Sequence, residues 1–164
     1  MGALLDIRIL EEPFDPNAAA DWLTDRTPDA GGVATFIGKV RAGDAAADAV
    51  KALELSHYEP LTLPGMQALA EEANGRFRLM GLVMLHRVGT LRPGDPIVCV
   101  SAASRHRRDA ILAVDFCMDH LKSAAWFWKR ELRIGDQGGK GDQSGQWHWI
   151  EPRDADHIDL TRWD

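Results

Sequence analysis

Short strand-like segments are interleaved irregularly with helical ones, and this order constrains the fold more than any other feature of the chain. Apolar and β-branched residues indicate strands over 4–10, 32–40, 50–57, 81–88, 97–103 and 147–150. Helical spacing is found over 18–23, 64–77 and 104–122, with Asp15 and Ser104 as predicted caps. Because strict strand–helix alternation is missing, we predict an α+β fold with a mixed, largely antiparallel sheet and packed helices.

The chain has 164 residues, enough for one domain with a hydrophobic core. We therefore predict a single domain over 1–164. Two segments, 42–48 and 135–145, consist of small, acidic or glycine-rich polar residues with no apolar anchor, and we interpret them as loose loops.

Both cysteines, Cys99 and Cys117, lie in apolar runs, so we expect buried thiols rather than a disulfide or a zinc site. Three histidines, His57, His86 and His148, have no partner at metal-ligand spacing and are interpreted as structural.

The amino terminus has no signal-peptide pattern, and no apolar run could span a membrane. We expect a cytoplasmic protein without a bound metal or cofactor.

The charge is acidic overall but basic in the centre. The net charge is −6, which argues against nucleic-acid binding by bulk charge. Residues 31–134 nevertheless carry 14 basic and 11 acidic side chains, whereas both ends are strongly acidic. The basic residues of the centre are therefore candidates for an anion-binding site.

The predicted helix over 104–122 opens with Arg105, His106, Arg107 and Arg108. Cations at a helix amino terminus oppose the helix dipole, and a bound anion such as phosphate would resolve that conflict. The alternative is a solvated basic turn paired with surface carboxylates.

Lys122 and Lys129 flank three aromatic residues, Trp126, Phe127 and Trp128. The spacing of seven would place both lysines on one face of a continuous helix. Neighbouring aromatic rings desolvate an amine, which favours its neutral form and suits it to acid–base chemistry. The alternative is the edge of an aromatic core with lysines reaching out to solvent.

Lys39 and Arg41 lie two residues apart at the end of a predicted strand, immediately before the loop at 42–48. Residues two apart on a strand point to the same side. This arrangement suits a ligand-covering loop, and the alternative is an ordinary strand end.

Taken in order, these clusters resemble the large, catalytic subunit of molybdopterin synthase. The resemblance covers roughly residues 30–155. The matching segments are 32–41, 55–58, 64–66, 86–89, 93–95, 104–107, 127–131 and 149–153.

The resemblance implies a sulfurtransferase of molybdenum cofactor biosynthesis that converts cyclic pyranopterin monophosphate into the molybdopterin dithiolene. Sulfur would arrive as a thiocarboxylate on the carboxy-terminal Gly-Gly of a ubiquitin-like small subunit. Two large subunits would form a homodimer with a small subunit at each end, a heterotetramer. The implied fold includes a hammerhead-type subdomain.

The resemblance also assigns the site. Its essential lysines fall on Lys122 and Lys129, and its strand-end arginine falls on Arg41. The implied substrate-binding residues are His106, Arg107, Phe36 and Arg153, to which the strand-end pattern adds Lys39. Arg41 and Lys129 could stabilise oxyanion charge, and Lys122, desolvated beside Trp126 and Phe127, is the candidate general acid or base. Which lysine acts as acid and which as base stays open.

The sequence departs from the family at Trp126, where a proline is common, and in the length of the 135–145 loop.

The alternative function is a non-catalytic dimeric module that binds a phosphorylated metabolite or an anionic partner tail. A phosphoesterase is disfavoured, because the metal ligands or carboxylate pair that it would need are missing from the pattern.

Overall fold

The computed structural model describes residues 2–43, 49–124, 126–133, 145–151 and 153–164, and these form two antiparallel-dominated sheets with packed helices. The predicted α+β class is confirmed. The strands are β1 (Leu4–Leu10), β2 (Gly32–Lys39), β3 (Val50–His57), β4 (Leu79–Arg87), β5 (Gly89–Leu91), β6 (Pro96–Ser104), β7 (Phe127–Arg133) and β8 (Gln146–Ile150). The helices are α1 (Pro16–Arg26), α2 (Glu59–Phe77), α3 (Arg107–Ser123) and α4 (Asp154–Leu160), followed by a 3-10 turn, Thr161–Trp163.

The first sheet has the strand order β1-β4-β6-β2 and is covered on both faces. Only the β1–β4 pair is parallel, and the other two pairs are antiparallel. On one face Leu82, Met84 and Val100 pack with residues of α2 and α3, and on the other Val83 and Leu85 pack against α1. Burial of both faces explains why β4 and β6 are nearly continuous apolar runs.

The second sheet, in the order β5-β3-β7-β8, is antiparallel throughout. Leu53, Leu55 and Leu91 form its buried face. On the opposite face Arg130 donates to both carboxylate oxygens of Glu54, at 2.9 and 3.0 Å. The sheet therefore has one apolar and one polar face, as the period-two pattern of β3 predicts.

Several predicted boundaries were wrong. Ser104 is the last residue of β6, paired with Gly32, and the residue that precedes the first turn of α3 is His106. Helix α2 begins at Glu59, five residues earlier than predicted. Helix α3 ends at Ser123. The chain then continues as strand β7, so a continuous helix from Lys122 to Lys129 was also wrong.

Other expectations were confirmed or lie outside the described residues. The side chain of Asp15 accepts a hydrogen bond from the Asn17 N–H at 2.9 Å and caps α1 as predicted. Both cysteines are free and fully buried. Most of the predicted loops, residues 44–48 and 135–144, lie outside the described residues. Among the described helices, none has both the length and the apolar composition needed to cross a bilayer.

The carboxy-terminal turn is fastened to the body of the domain by Asp119 of α3. Its carboxylate accepts from the Trp163 indole N–H at 2.7 Å and from the Arg162 guanidinium. The Trp163 ring packs edge-on against Phe77 and Phe116, with centroids 6.0 and 5.3 Å away. Asp119 is nearly buried, so this attachment is largely shielded from water.

Replacing Asp119 with alanine is expected to lower the free energy of unfolding by about 2 kcal/mol, because a partly buried indole N–H loses its acceptor. Urea denaturation at fixed protein concentration measures the change. Asp115→Ala is the matched control, since Asp115 bonds the same Arg162 but its own side chain is 43% exposed. An equal loss of stability in both variants would contradict the anchoring role of Asp119.

Candidate functional site

The two candidate lysines meet at the carboxy-terminal end of α3 although they lie on different elements. Lys122 is in the last turn of α3, and Lys129 is in β7. Asp156 of α4 completes the group, with its Oδ1 atom 4.0 Å from the Lys122 Nζ atom. The fold therefore brings the lysines together through a helix end and a strand rather than through one helix face.

Lys129 has a partly apolar setting. It lies opposite Leu55 of β3 on one side and Ile150 of β8 on the other, and cross-strand partners share a face of the sheet. Burial lowers the pKa of Lys129, and the positive charge of Lys122 lowers it further. The carboxylates of Asp156 and Glu131 act against this shift, and Arg153 adds to it.

Lys122 is in a different environment from the predicted one. Its side chain is 50% exposed and faces the Asp156 carboxylate, so the expected desolvation by Trp126 and Phe127 was wrong for this residue. Phe127 instead stacks on the imidazole of His86, with centroids 3.7 Å apart. Lys129 is also partly exposed, but its pKa is lowered by burial and by the charge of Lys122, which makes it the better candidate for a neutral amine.

Trp126, which lies between the two lysines in the sequence, is fixed to α2. The Thr62 hydroxyl donates to the Trp126 carbonyl at 2.9 Å. The indole lies against Gly65, where an added Cβ would be 2.5 Å from the Trp126 Cε2 atom. A side chain larger than hydrogen at position 65 would push the ring, and the chain that leads to Lys129, away from α2.

Arg153 belongs to the same cluster. Its guanidinium lies 3.5 Å from Asp156 Oδ1, and its backbone N–H donates to Asp156 Oδ2 at 3.1 Å. Its side chain is otherwise largely exposed. Lys122, Lys129 and Arg153 therefore form a group of three basic residues around the mostly buried carboxylate of Asp156.

The buried histidine His86 is structural in this arrangement, as predicted. Its Nδ1 atom lies 2.9 Å from the Arg87 carbonyl oxygen, and burial lowers its pKa to about 4. It therefore supports Phe127 as a neutral ring at physiological pH. Within the described residues, no group of three or more His, Cys, Asp or Glu side chains is arranged to hold a metal ion.

The strand-end residues lie at the far end of β2. Lys39 and Arg41 are exposed on either side of the buried Val40, which agrees with the prediction that they share a side. Phe36 lies further back on β2, opposite Val100, with 41% of its surface exposed. Phe36 therefore offers an exposed aromatic side chain on the strand whose end carries these cations.

The basic helix start lies at the opposite end of α3. Residues 105–108 are all exposed, and His106 makes no side-chain cap. Gly32 lies directly beneath, where an added Cβ would be 3.3 Å from the Arg107 Cα atom. At about 1.5 Å of rise per residue, Arg107 and Lys122 are separated by about 22 Å along α3. One chain therefore does not bring these two groups to a single small ligand.

Asp156 is the site residue that the sequence interpretation missed. The segment after 150 looked like an acidic tail, and nothing in its pattern predicts that α4 returns to the end of α3. The available signal was the position of Asp156 three residues after Arg153, at the start of a short helix.

The sequence and the fold of this chain are similar to those of known proteins. The family model described as "MoaE protein" matches residues 9–124, more than half of the chain. This chain belongs to the MoaE family. Curated MoaE-family relatives are similar over nearly their whole length, and their printed name is "Molybdopterin synthase catalytic subunit".

The relative from Escherichia coli K12 is 40% identical over 152 residues, which cover 93% of each chain. The relative from Cereibacter sphaeroides is 36% identical over 157 residues, 96% of this chain and 99% of the relative. Among solved structures, molybdopterin cofactor biosynthesis protein E from Burkholderia multivorans superposes with a TM-score of 0.75 at 34% identity, covering 99% of this chain and 97% of that one. The molybdopterin synthase of Staphylococcus aureus, at 23% identity and a TM-score of 0.70, shares the fold.

Proposed function

We propose that this MoaE-family chain is the catalytic subunit of a molybdopterin synthase. It transfers sulfur from a thiocarboxylated, ubiquitin-like small subunit to cyclic pyranopterin monophosphate and so forms the dithiolene of molybdopterin. The observation that carries the proposal is the cluster of Lys122, Lys129 and Arg153, held by one carboxylate in a chain of this family.

The two lysines differ in a way that suits this chemistry. Sulfur transfer from an acyl group develops negative charge on oxygen, and a fixed cation stabilises that charge. Lys122, beside Asp156, supplies the cation. Proton transfers need an amine that exchanges its proton near neutral pH, and the lowered pKa of Lys129 makes it the candidate. This division reverses the roles that the sequence pattern favours.

The remaining predicted residues are proposed as binding groups. His106 and Arg107 hold the cyclic phosphate, since a guanidinium and the free N–H groups of a helix start both bind phosphate oxygens. Arg41 and Lys39 contribute further positive charge, and Phe36 contacts the pterin ring. Arg153 extends the cation cluster toward the incoming acyl tail.

The active form is proposed to be a homodimer. His106 and Arg107 lie about 22 Å along α3 from Lys122, too far apart to bind one pterin phosphate within one chain. Two copies related by a two-fold axis bring the helix start of one chain to the lysine cluster of the other, and symmetry produces two such sites.

A small sulfur-carrier subunit binds at each end of this dimer, giving a heterotetramer that works in the cytoplasm. The solved complex from Helicobacter pylori, described as "subunit 1 and 2 of Molybdopterin-converting factor", contains a chain of the same fold, with a TM-score of 0.66. The exposed cluster of Lys122 and Arg153 provides positive charge for the carboxy-terminal thiocarboxylate of that subunit.

Reconstitution tests the proposal. The purified chain is mixed with a small subunit that carries a carboxy-terminal Gly-Gly thiocarboxylate and with cyclic pyranopterin monophosphate. Dithiolene product is expected only when all three are present, and the chain alone should give none. A control small subunit with an ordinary carboxylate should also give none. Absence of product from the complete mixture would contradict the proposed activity.

The alternative, a non-catalytic module, is distinguished by the same lysines. A binding module keeps its affinity for pterin phosphate in Lys129→Ala and has no turnover to lose. A sulfurtransferase loses turnover while the variant stays folded.

A further inference from the structure

Asp156 is the one acidic side chain within ion-pair distance of both Lys122 and Arg153 among the described residues. Its side chain is only 11% exposed, and both its oxygens are engaged. Oδ2 accepts from the Arg153 backbone N–H at 3.1 Å, and Oδ1 faces the Arg153 guanidinium at 3.5 Å and the Lys122 ammonium at 4.0 Å. This carboxylate also acts on the Lys129 amine, where its negative charge favours the protonated form.

The position of Asp156 is fixed from two sides. The Ser123 hydroxyl, at the end of α3, lies 2.5 Å from the Asp156 carbonyl oxygen and 2.8 Å from that of Asp119. Beyond α4, the carboxy-terminal turn is anchored through Arg162 and Trp163 to the Asp119 carboxylate. Helix α4 is therefore attached to α3 both near its beginning and just after its end. These contacts hold the segment against α3, so it is not a solvent-exposed tail.

We propose that Asp156 is a positioning residue of the reaction, whose carboxylate holds the Lys122 ammonium in place and sets the charge balance around Lys129. This inference rests on the proposed function. The charged groups that face this carboxylate and the Lys129 amine are Lys122 from α3, Glu131 from β7 and Arg153 from α4. Asp156 and Glu131 are the two negative charges in this group, so removal of Asp156 leaves the cations with Glu131 alone.

The competing explanation is that Asp156 only caps α4. Asp156→Asn separates the two roles, because the amide oxygen can still accept from the Arg153 N–H while the negative charge is lost. Asp159→Asn is the matched control. It makes the same charge change in the same helix, and Asp159 uses only its backbone carbonyl to bond Arg162.

The first measurement does not depend on turnover. Trace acetylation of the intact chain across a pH series, followed by peptide mass spectrometry, gives the titration midpoint of the Lys129 amine. Loss of the Asp156 charge removes an interaction that raises the pKa of Lys129, so the midpoint is expected to move to lower pH in Asp156→Asn. No shift is expected in Asp159→Asn. An unchanged midpoint in Asp156→Asn would overturn the inference.

The second measurement is kcat against pH in the reconstituted synthase. If Lys129 acts as a neutral amine, the rising limb should move to lower pH in Asp156→Asn, and the plateau value of kcat should fall about tenfold as Lys122 loses its partner. A shifted labelling midpoint with an unchanged kcat profile would show that Asp156 affects the charge of Lys129 without acting on the reaction, and would overturn its role as a positioning residue. If the midpoint shifts in Asp156→Asn but the wild-type chain has no turnover in the complete mixture, the proposed function is refuted. The pairing of charges around Asp156 then still stands.

Discussion

Lys129→Ala is expected to lower kcat of the reconstituted synthase by about 10³-fold, which is the range that removal of a general acid–base group produces. The residue lies in the middle of β7, and its amine has a lowered pKa because of partial burial and the neighbouring Lys122. Its side chain reaches the surface, so the fold should survive the truncation. Single-turnover assays measure the rate, and thermal unfolding should show a melting temperature within a few degrees of wild type.

The controls separate the lost proton transfer from the lost charge. Lys129→Arg keeps the cation but does not give up its proton near neutral pH, so its kcat should also fall by at least about 10²-fold. Lys51→Ala removes an exposed lysine from the neighbouring strand β3 and should leave kcat unchanged. If Lys129→Arg retained wild-type turnover, Lys129 would serve only as a fixed charge.

The sign of the pH dependence follows from the direction of the pKa shift. Burial and Lys122 lower the pKa of Lys129, so more of the amine is neutral at a given pH than for an ordinary lysine. The rising limb of kcat in the wild type is therefore expected below the pH at which a free lysine titrates. Lys122→Ala removes a charge that lowers the pKa of Lys129, and the limb should move to higher pH.

The strands and the two long helices were predictable because each carries its own pattern. In strand β3, buried Leu53 and Leu55 alternate with the less buried Glu54 and Ser56, and the predicted bounds of the strand are those observed. The helical spacing in α2 identified Met66, Leu69, Ala70, Ala73 and Phe77, all of which are buried in the core. The predicted start at residue 64 was too late, because the first turn of the helix contains Pro60, whose missing N–H costs nothing at that position.

The arrangement of the site was less predictable, because it depends on contacts between distant segments. The interval of seven between Lys122 and Lys129 fits two helical turns, yet Trp126 is bonded to Thr62 of α2 and the chain enters a sheet. Pairing with β3 overrides the helical spacing at β7. Asp156 was missed for the same reason, since contacts of Ser123 and Asp119 with the distant carboxy-terminal segment bring α4 back to α3.

Two inactive variants should restore each other's activity when their defects lie in different halves of the site. A mixed dimer of Lys129→Ala and Arg107→Ala has one site with both substitutions and one site with neither. Its kcat per dimer should therefore be about half that of wild type, although each parent variant is nearly inactive. Coexpression with two different affinity tags isolates the mixed dimer, and the reconstitution assay measures its rate.

The matched control is a mixed dimer of Lys122→Ala and Lys129→Ala. These residues belong to the same cluster, at the end of one α3 helix, so every site in that dimer lacks one of the lysines. It should stay nearly inactive. Recovery in the first mixture but not in the second follows only if the helix start and the lysine cluster come from different chains. Equal inactivity in both mixtures would mean that each chain carries a complete site, which would require His106 and Arg107 to act away from the reacting atoms.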